Sequence, residues 1–170
     1  MRRVVFFLLA GMLVVAISAD AQEKSTGADR GVRFHGLGPR IGVSIDPDQF
    51  VFGGHADFGD PLPHTTFLFP VVEIGVGDDA TVTSIGTDLI FKFTNRWGAW
   101  NPYLGGELAF IITNKDVSGG GDKTNTDLGL MGLFGVEKGI GPDNRFALEL
   151  KFELVDAPDF KFAALWTFGH

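Results

Sequence analysis

The sequence predicts an all-β fold, an eight-stranded antiparallel up-and-down barrel that turns its apolar face outwards and keeps a polar lumen. Three observations carry that expectation. Apolar and polar residues alternate with a period of two through most of the chain, as they do in strands whose side chains point to opposite faces. Turn residues divide the alternation into eight runs of about 9 to 14 residues. The composition, with 24 Gly and 17 Phe among 170 residues and 45% hydrophobic residues, suits sheets rather than helices.

The N-terminus stands apart from this pattern. Met1-Arg2-Arg3 precedes an apolar stretch from Val4 to Ile17 and the small residues of Ala19-Asp20-Ala21, the three parts of a secretory signal peptide. Residues 1–21 are therefore expected to direct export, with cleavage after Ala21. The apolar run is shorter than the roughly 20 residues that a spanning helix needs. Without it the chain keeps 149 of its 170 residues, enough for one domain, and the loss of Arg2, Arg3 and Asp20 moves its formal charge from −7 to −8. So acidic a chain is a poor partner for nucleic acid. With no cysteine there is no disulfide framework, thiolate metal site or lipid-modified cysteine. Residues 22–33 are polar and unpatterned, a flexible lead-in to a barrel spanning 34–168.

The first run, Phe34 to Asp46, sets Leu37, Pro39, Ile41, Val43 and Ile45 against Gly36, Gly38, Arg40, Gly42 and Ser44, and ends in the turn Asp46-Pro47-Asp48. The second, Gln49 to Phe58, places Phe50, Phe52, Ala56 and Phe58 opposite Gln49, His55 and Asp57. The third, about Thr65 to Gly77, mixes two registers. Phe67, Phe69 and Glu73 share one parity and Leu68, Pro70, Val72, Ile74 and Val76 the other, so a bulge at Pro70 is expected to switch faces. In the fourth, Ala80 to Thr94, Ile85, Leu89, Phe91 and Phe93 oppose Gly86, Asp88 and Lys92, with Ile90 on the polar side.

After the connection 95–102 with its two tryptophans, the fifth run, Tyr103 to Thr113, alternates Leu104, Leu108, Phe110 and Ile112 with Tyr103, Glu107 and Ala109. Asn114 to Asn125, with Gly119-Gly120-Gly121 in a polar setting, reads as the longest loop. The glycines lack the lysine and the strand-to-helix context of a phosphate loop. The sixth run, Thr126 to Lys138, sets Leu128, Leu130, Phe134 and Val136 against Asp127, Met131 and Glu137. The seventh and eighth form a closing hairpin about Asp156-Ala157-Pro158. Phe146, Leu148, Leu150, Phe152 and Leu154 oppose Arg145, Glu149, Lys151 and Glu153, then Phe160, Phe162, Ala164, Trp166 and Phe168 oppose Lys161.

Direction follows from volume. An eight-stranded lumen is only just filled by side chains, so it cannot also take the whole Phe- and Leu-rich face. That face must look outwards, and in water it would be a patch far larger than a soluble monomer tolerates. Lipid removes the conflict. Trp97, Trp100, Phe146, Trp166 and Phe168 are expected at one membrane interface, and Phe50, Phe110, Phe152 and Phe160 at the other.

With Asn101-Pro102-Tyr103-Leu104-Gly105-Gly106 after a turn, and a last strand alternating Phe160, Phe162, Ala164, Trp166 and Phe168, the chain resembles the small eight-stranded barrels of the OmpX/OmpA-like outer-membrane superfamily. That resemblance implies a Gram-negative outer-membrane location, a lipid surround and handling by the barrel-assembly machinery during biogenesis. Members usually end on the aromatic residue, whereas this chain continues through Gly169 and His170. It also implies a monomer with a structural or surface-interaction role. A narrow pore or a transporter of small hydrophobic molecules, as in OmpW-like relatives, and a soluble periplasmic lipocalin-like carrier remain the alternatives.

The lumen should then hold a charged network of Arg40, Asp57, Glu73, Asp88, Lys92, Glu107, Asp127, Glu137, Arg145, Glu149, Lys151, Glu153 and Lys161. Pairs such as Glu149 or Glu107 with Lys92, Lys151 or Lys161 would satisfy buried charge, and the excess of acids requires water or protons. Catalysis is not expected. Of His35, His55, His64 and His170 only His55 lies beside a carboxylate on its own face, Asp57, and no serine is placed with it. The His and carboxylate spacings match no metal-ligand set, and no cofactor is implied.

Overall fold

The computed structural model describes residues 33–59, 66–78, 80–117 and 121–169. The expected signal peptide, the lead-in up to residue 32, His64 and His170 lie outside the described residues. The described chain forms β1 (Arg33–Ile45), β2 (Gln49–Gly59), β3 (Thr66–Val76), β4 (Ala80–Lys92), β5 (Asn101–Val117), β6 (Gly121–Gly139), β7 (Asn144–Val155) and β8 (Phe160–Gly169). Each strand pairs antiparallel with its sequence neighbours, and β1 also pairs with β8, so the sheet closes as a barrel without a crossover. Closure leaves no long free sheet edge to template association. The barrel starts one residue before the expected boundary, at Arg33, and runs one beyond it, to Gly169.

The wall sorts side chains by parity. Ile41, Phe52, Leu89, Leu108, Leu130, Leu150 and Phe162 are exposed on the outside, while Arg40, Glu73, Asp88, Glu107, Glu149 and Lys151 are buried inside. The lumen is not wholly polar. Phe69, Val71, Ile90, Tyr103, Leu133 and Leu165 form one inward apolar cluster, and Val82, Ala109 and Ile111 a second, against which Ala157 of the β7–β8 turn packs.

Two expectations are corrected here. There is no bulge at Pro70. β3 keeps one register along β4, pairing Phe69 with Asp88, Pro70 with Thr87 and Val71 with Gly86. Phe69, Val71 and Glu73 all point inwards and Val72 and Val76 outwards, so the mixed run is one strand whose inward face is partly apolar. The pairing to β2 has no partner at Pro70, where the backbone has no N–H to give. Residues 114–125 are not a long loop either. The β5–β6 ladder continues through Asn114 with Thr124 and Lys115 with Lys123 to Val117 with Gly121. The polar composition that suggested a loop belongs to a ribbon reaching past β7, whose pairing with β6 ends at Leu130 and Val155.

Glycines let rings lie flat on the wall at two places. A Cβ at inward Gly135 would fall on the ring of its cross-strand partner Tyr103, and a Cβ at outward Gly132 on the ring of its partner Phe152. Both aromatics thereby cover backbone that a larger residue would push them from.

Candidate functional site

The candidate site is the filled lumen. Its centre is Arg40 of β1, whose inward position follows from the alternation with outward Pro39 and Ile41. Its guanidinium meets three carboxylates from three other strands. Nε lies 3.0 Å from Glu73 Oε1 of β3, Nη1 donates to Asp88 Oδ2 of β4 at 2.9 Å, and Nη2 donates to Glu149 Oε1 of β7. Tyr103 of β5 donates its hydroxyl to the other oxygen of Glu149 at 3.0 Å.

Lys151 of β7 reaches the far wall. Its ammonium donates to Asp88 at 2.8 and 2.9 Å and to Glu107 Oε2 at 2.9 Å. Asp88 and Glu107 are direct cross-strand partners, as are Lys151 and Lys161. Like charges face to face on one wall repel. Here each pair is relieved from across the barrel, Asp88 and Glu107 by Lys151, and Lys161 by Glu73 at 2.9 Å.

A second network lies towards the end that carries the chain termini. Arg145 donates to Asp57 Oδ2 and, at 3.4 Å, to Glu137. Glu137 also takes Lys92 at 2.8 and 2.9 Å. The Lys92 ammonium sits 4.2 Å from the centre of the Phe67 ring, within cation–π range. Beside this network His55 Nε2 and the Thr167 hydroxyl are 2.8 Å apart, and the imidazole stacks on Phe69 at 5.6 Å.

The structure thus brings together eleven of the thirteen expected charged residues in two networks. Two fall outside them. Glu153 is exposed, because the β7–β8 ladder ends at Phe152 and Phe160 and Glu153 lies past it, paired only with Met131 of β6, with its carboxylate accepting the N–H of the turn residue Ala157 at 3.2 Å. Asp127 has the inward parity but stands in the projecting ribbon and accepts from Asn125. The partners also differ from those expected: Lys92 bonds Glu137 and Lys161 bonds Glu73, so only Lys151 reaches both Glu107 and Glu149, the latter at 3.5 Å. Tyr103, His55 and Thr167 were missed as members. Their inward parity was the available signal.

For catalysis the geometry offers little. His55 pairs with Thr167 rather than with Asp57, which is held by Arg145, and His55 Nδ1 has no hydrogen-bond partner among the described residues. No orienting group therefore completes a nucleophile–base–carboxylate arrangement there. Among the described residues no group of three or more His, Asp or Glu is placed to hold a metal ion.

Outside, at the terminus-bearing end, Trp97 packs on Phe134 at 6.1 Å, Trp100 on Phe146 at 6.3 Å, and Phe146 on Trp166 at 4.9 Å. Trp97 and Trp100 exchange backbone hydrogen bonds of 2.8 and 3.1 Å, and Phe168 is exposed beside Leu37, its partner on β1. Comparison with known proteins places this architecture. The barrel superposes on Neisserial surface protein A (NspA) with a TM-score of 0.59 at 17% identity, covering 81% of this chain and 96% of that one. It matches the N-terminal β-barrel domain of Pseudomonas aeruginosa OprF with a TM-score of 0.57 at 10% identity, covering 81% and 100%. The fold is that of small outer-membrane barrels. No family model matches the chain, and no curated protein matches it by sequence. At these identities the likeness concerns fold alone.

Proposed function

We propose that this protein is an exported, monomeric outer-membrane barrel whose lumen is closed by its own ion pairs, so that it acts through its lipid-facing wall and its rims rather than as a conduit. The carrying observation is the direction of the salt bridges. Arg40, Lys151, Lys161 and Arg145 each reach carboxylates at least two strands away, so their side chains cross the lumen instead of lining it. An eight-stranded lumen is only just wide enough for side chains to fill, so such crossings occupy the path that water would need. A soluble carrier would need the reverse arrangement, an apolar cavity inside and charges outside, whereas here Phe52, Leu108 and Phe162 are outside and Arg40 and Glu107 are inside.

The membrane part of the reading is tested by folding the mature chain into detergent or vesicles and running it unboiled and boiled on a gel. A closed barrel is expected to migrate differently before and after boiling. A mature chain that stays monomeric and soluble without detergent would remove the proposal.

A further inference from the structure

Among the described side chains, the two ends of the barrel carry opposite charge. At the mouth formed by the β1–β2, β3–β4 and β7–β8 turns, Asp46, Asp48, Asp78, Glu153, Asp156 and Asp159 are exposed, with Lys115 the one exposed base among the side chains described there. At the end bearing the termini, Arg33, Arg96 and Lys138 are exposed against Asp143. All three tryptophans of the chain stand at that second end.

The outward surface there is continuous. Trp100, Phe146 and Trp166 form a ledge across three elements, and the Lys138 ammonium lies 5.7 Å from the centre of the Trp100 ring. Phe146 is the cross-strand partner of both Lys138 and Trp166, so the cation stands directly beside the ledge. Indole rings favour the zone between acyl chains and headgroups, and an exposed ammonium on a long apolar stem reaches from that zone into the headgroups. Lys138 has no carboxylate within salt-bridge distance among the described residues, in contrast to Lys92, Lys151 and Lys161 inside.

We propose that this ledge is a seat for the phosphate of an anionic glycerophospholipid, with Lys138 as its counter-ion, Arg96 adding charge at the same rim, and the aromatic rings flanking the upper acyl chains. The proposal rests on the membrane reading above. An ammonium near an anionic surface favours such lipids about fivefold over neutral ones at most.

The three tryptophans make the test direct. Full mature chain is folded into phosphatidylcholine vesicles containing a fixed minority of phosphatidylglycerol, with bromine carried near the head of the acyl chains of one lipid or the other. Tryptophan quenching per mole of brominated lipid is expected to be about two- to fivefold greater for phosphatidylglycerol, and to fall to parity in Lys138→Glu and in high salt. Lys115→Glu, at the acidic mouth, should leave the preference unchanged. Equal quenching by both lipids in a barrel that is folded on the gel would overturn the seat, as would a preference that survives Lys138→Glu. Failure to fold into vesicles of either lipid would instead remove the membrane reading beneath it.

Discussion

The two ion networks of the lumen use the same chemistry under different access to water, and the contrast shows which charges hold the barrel closed. Arg40 is 1% exposed and shared by Glu73, Asp88 and Glu149. Arg145 is 20% exposed and shared by Asp57 and Glu137. A buried ion pair gains little over an apolar replacement of the whole set, yet removing one partner leaves charges with neither water nor counter-ion. Near an opening, water supplies part of what the lost partner gave. The central network should therefore be the less tolerant of single changes, and the rim network the more forgiving at Glu137, which keeps a second cation and some access to water, than at the fully buried Asp57.

The largest effect is expected for Arg40→Leu, which strands three carboxylates and should lower barrel stability by about 3–5 kcal/mol. Urea unfolding of vesicle-folded protein, followed by tryptophan fluorescence, measures it. A change as small as that at Arg145 would erase the distinction between the networks. Next comes the outer wall. Leu150 is 41% exposed between outward partners Phe134 and Phe162, and Leu150→Arg should cost about 2–4 kcal/mol if it lies at the bilayer midplane. A neutral result in the same assay would mean that this face is not in lipid. Arg145→Gln is expected to cost less, about 1–3 kcal/mol, since it strands one buried carboxylate, Asp57, rather than three, and Lys92 still holds Glu137. Smallest is Glu153→Gln. Its exposed carboxylate takes one turn N–H, and unfolding midpoints should agree with wild type within error; a loss matching Arg40→Leu would place it in the network after all.

Strand number, order and the facing of most residues were legible because parity records which side of a sheet a residue takes. Arg40, Asp88, Glu107 and Lys151 were assigned inwards on that ground. Parity does not say who meets whom across a barrel. Arg40 and Glu149 are 109 positions apart, and only closure of β1 on β8 brings them together. β3 misled for a different reason. Its apolar residues fall in both parities, which suggested a bulge at Pro70, but a small lumen takes apolar filler as well, and the rings of Phe67 and Phe69 pack against the cation of Lys92 and the imidazole of His55. The 114–125 stretch misled through composition: strand pairing to an adjacent, equally polar partner holds residues that would read as coil by themselves. Glu153 kept the inward parity of β7 past the point where β8 stops pairing with it.

Conductance across a planar bilayer tests the closed lumen most directly. Wild-type barrels, shown to be folded by their gel migration, are expected to give no steady current at either polarity in moderate salt. A steady current that scales with the number of inserted barrels would contradict a lumen sealed by Arg40, Lys151 and their carboxylates.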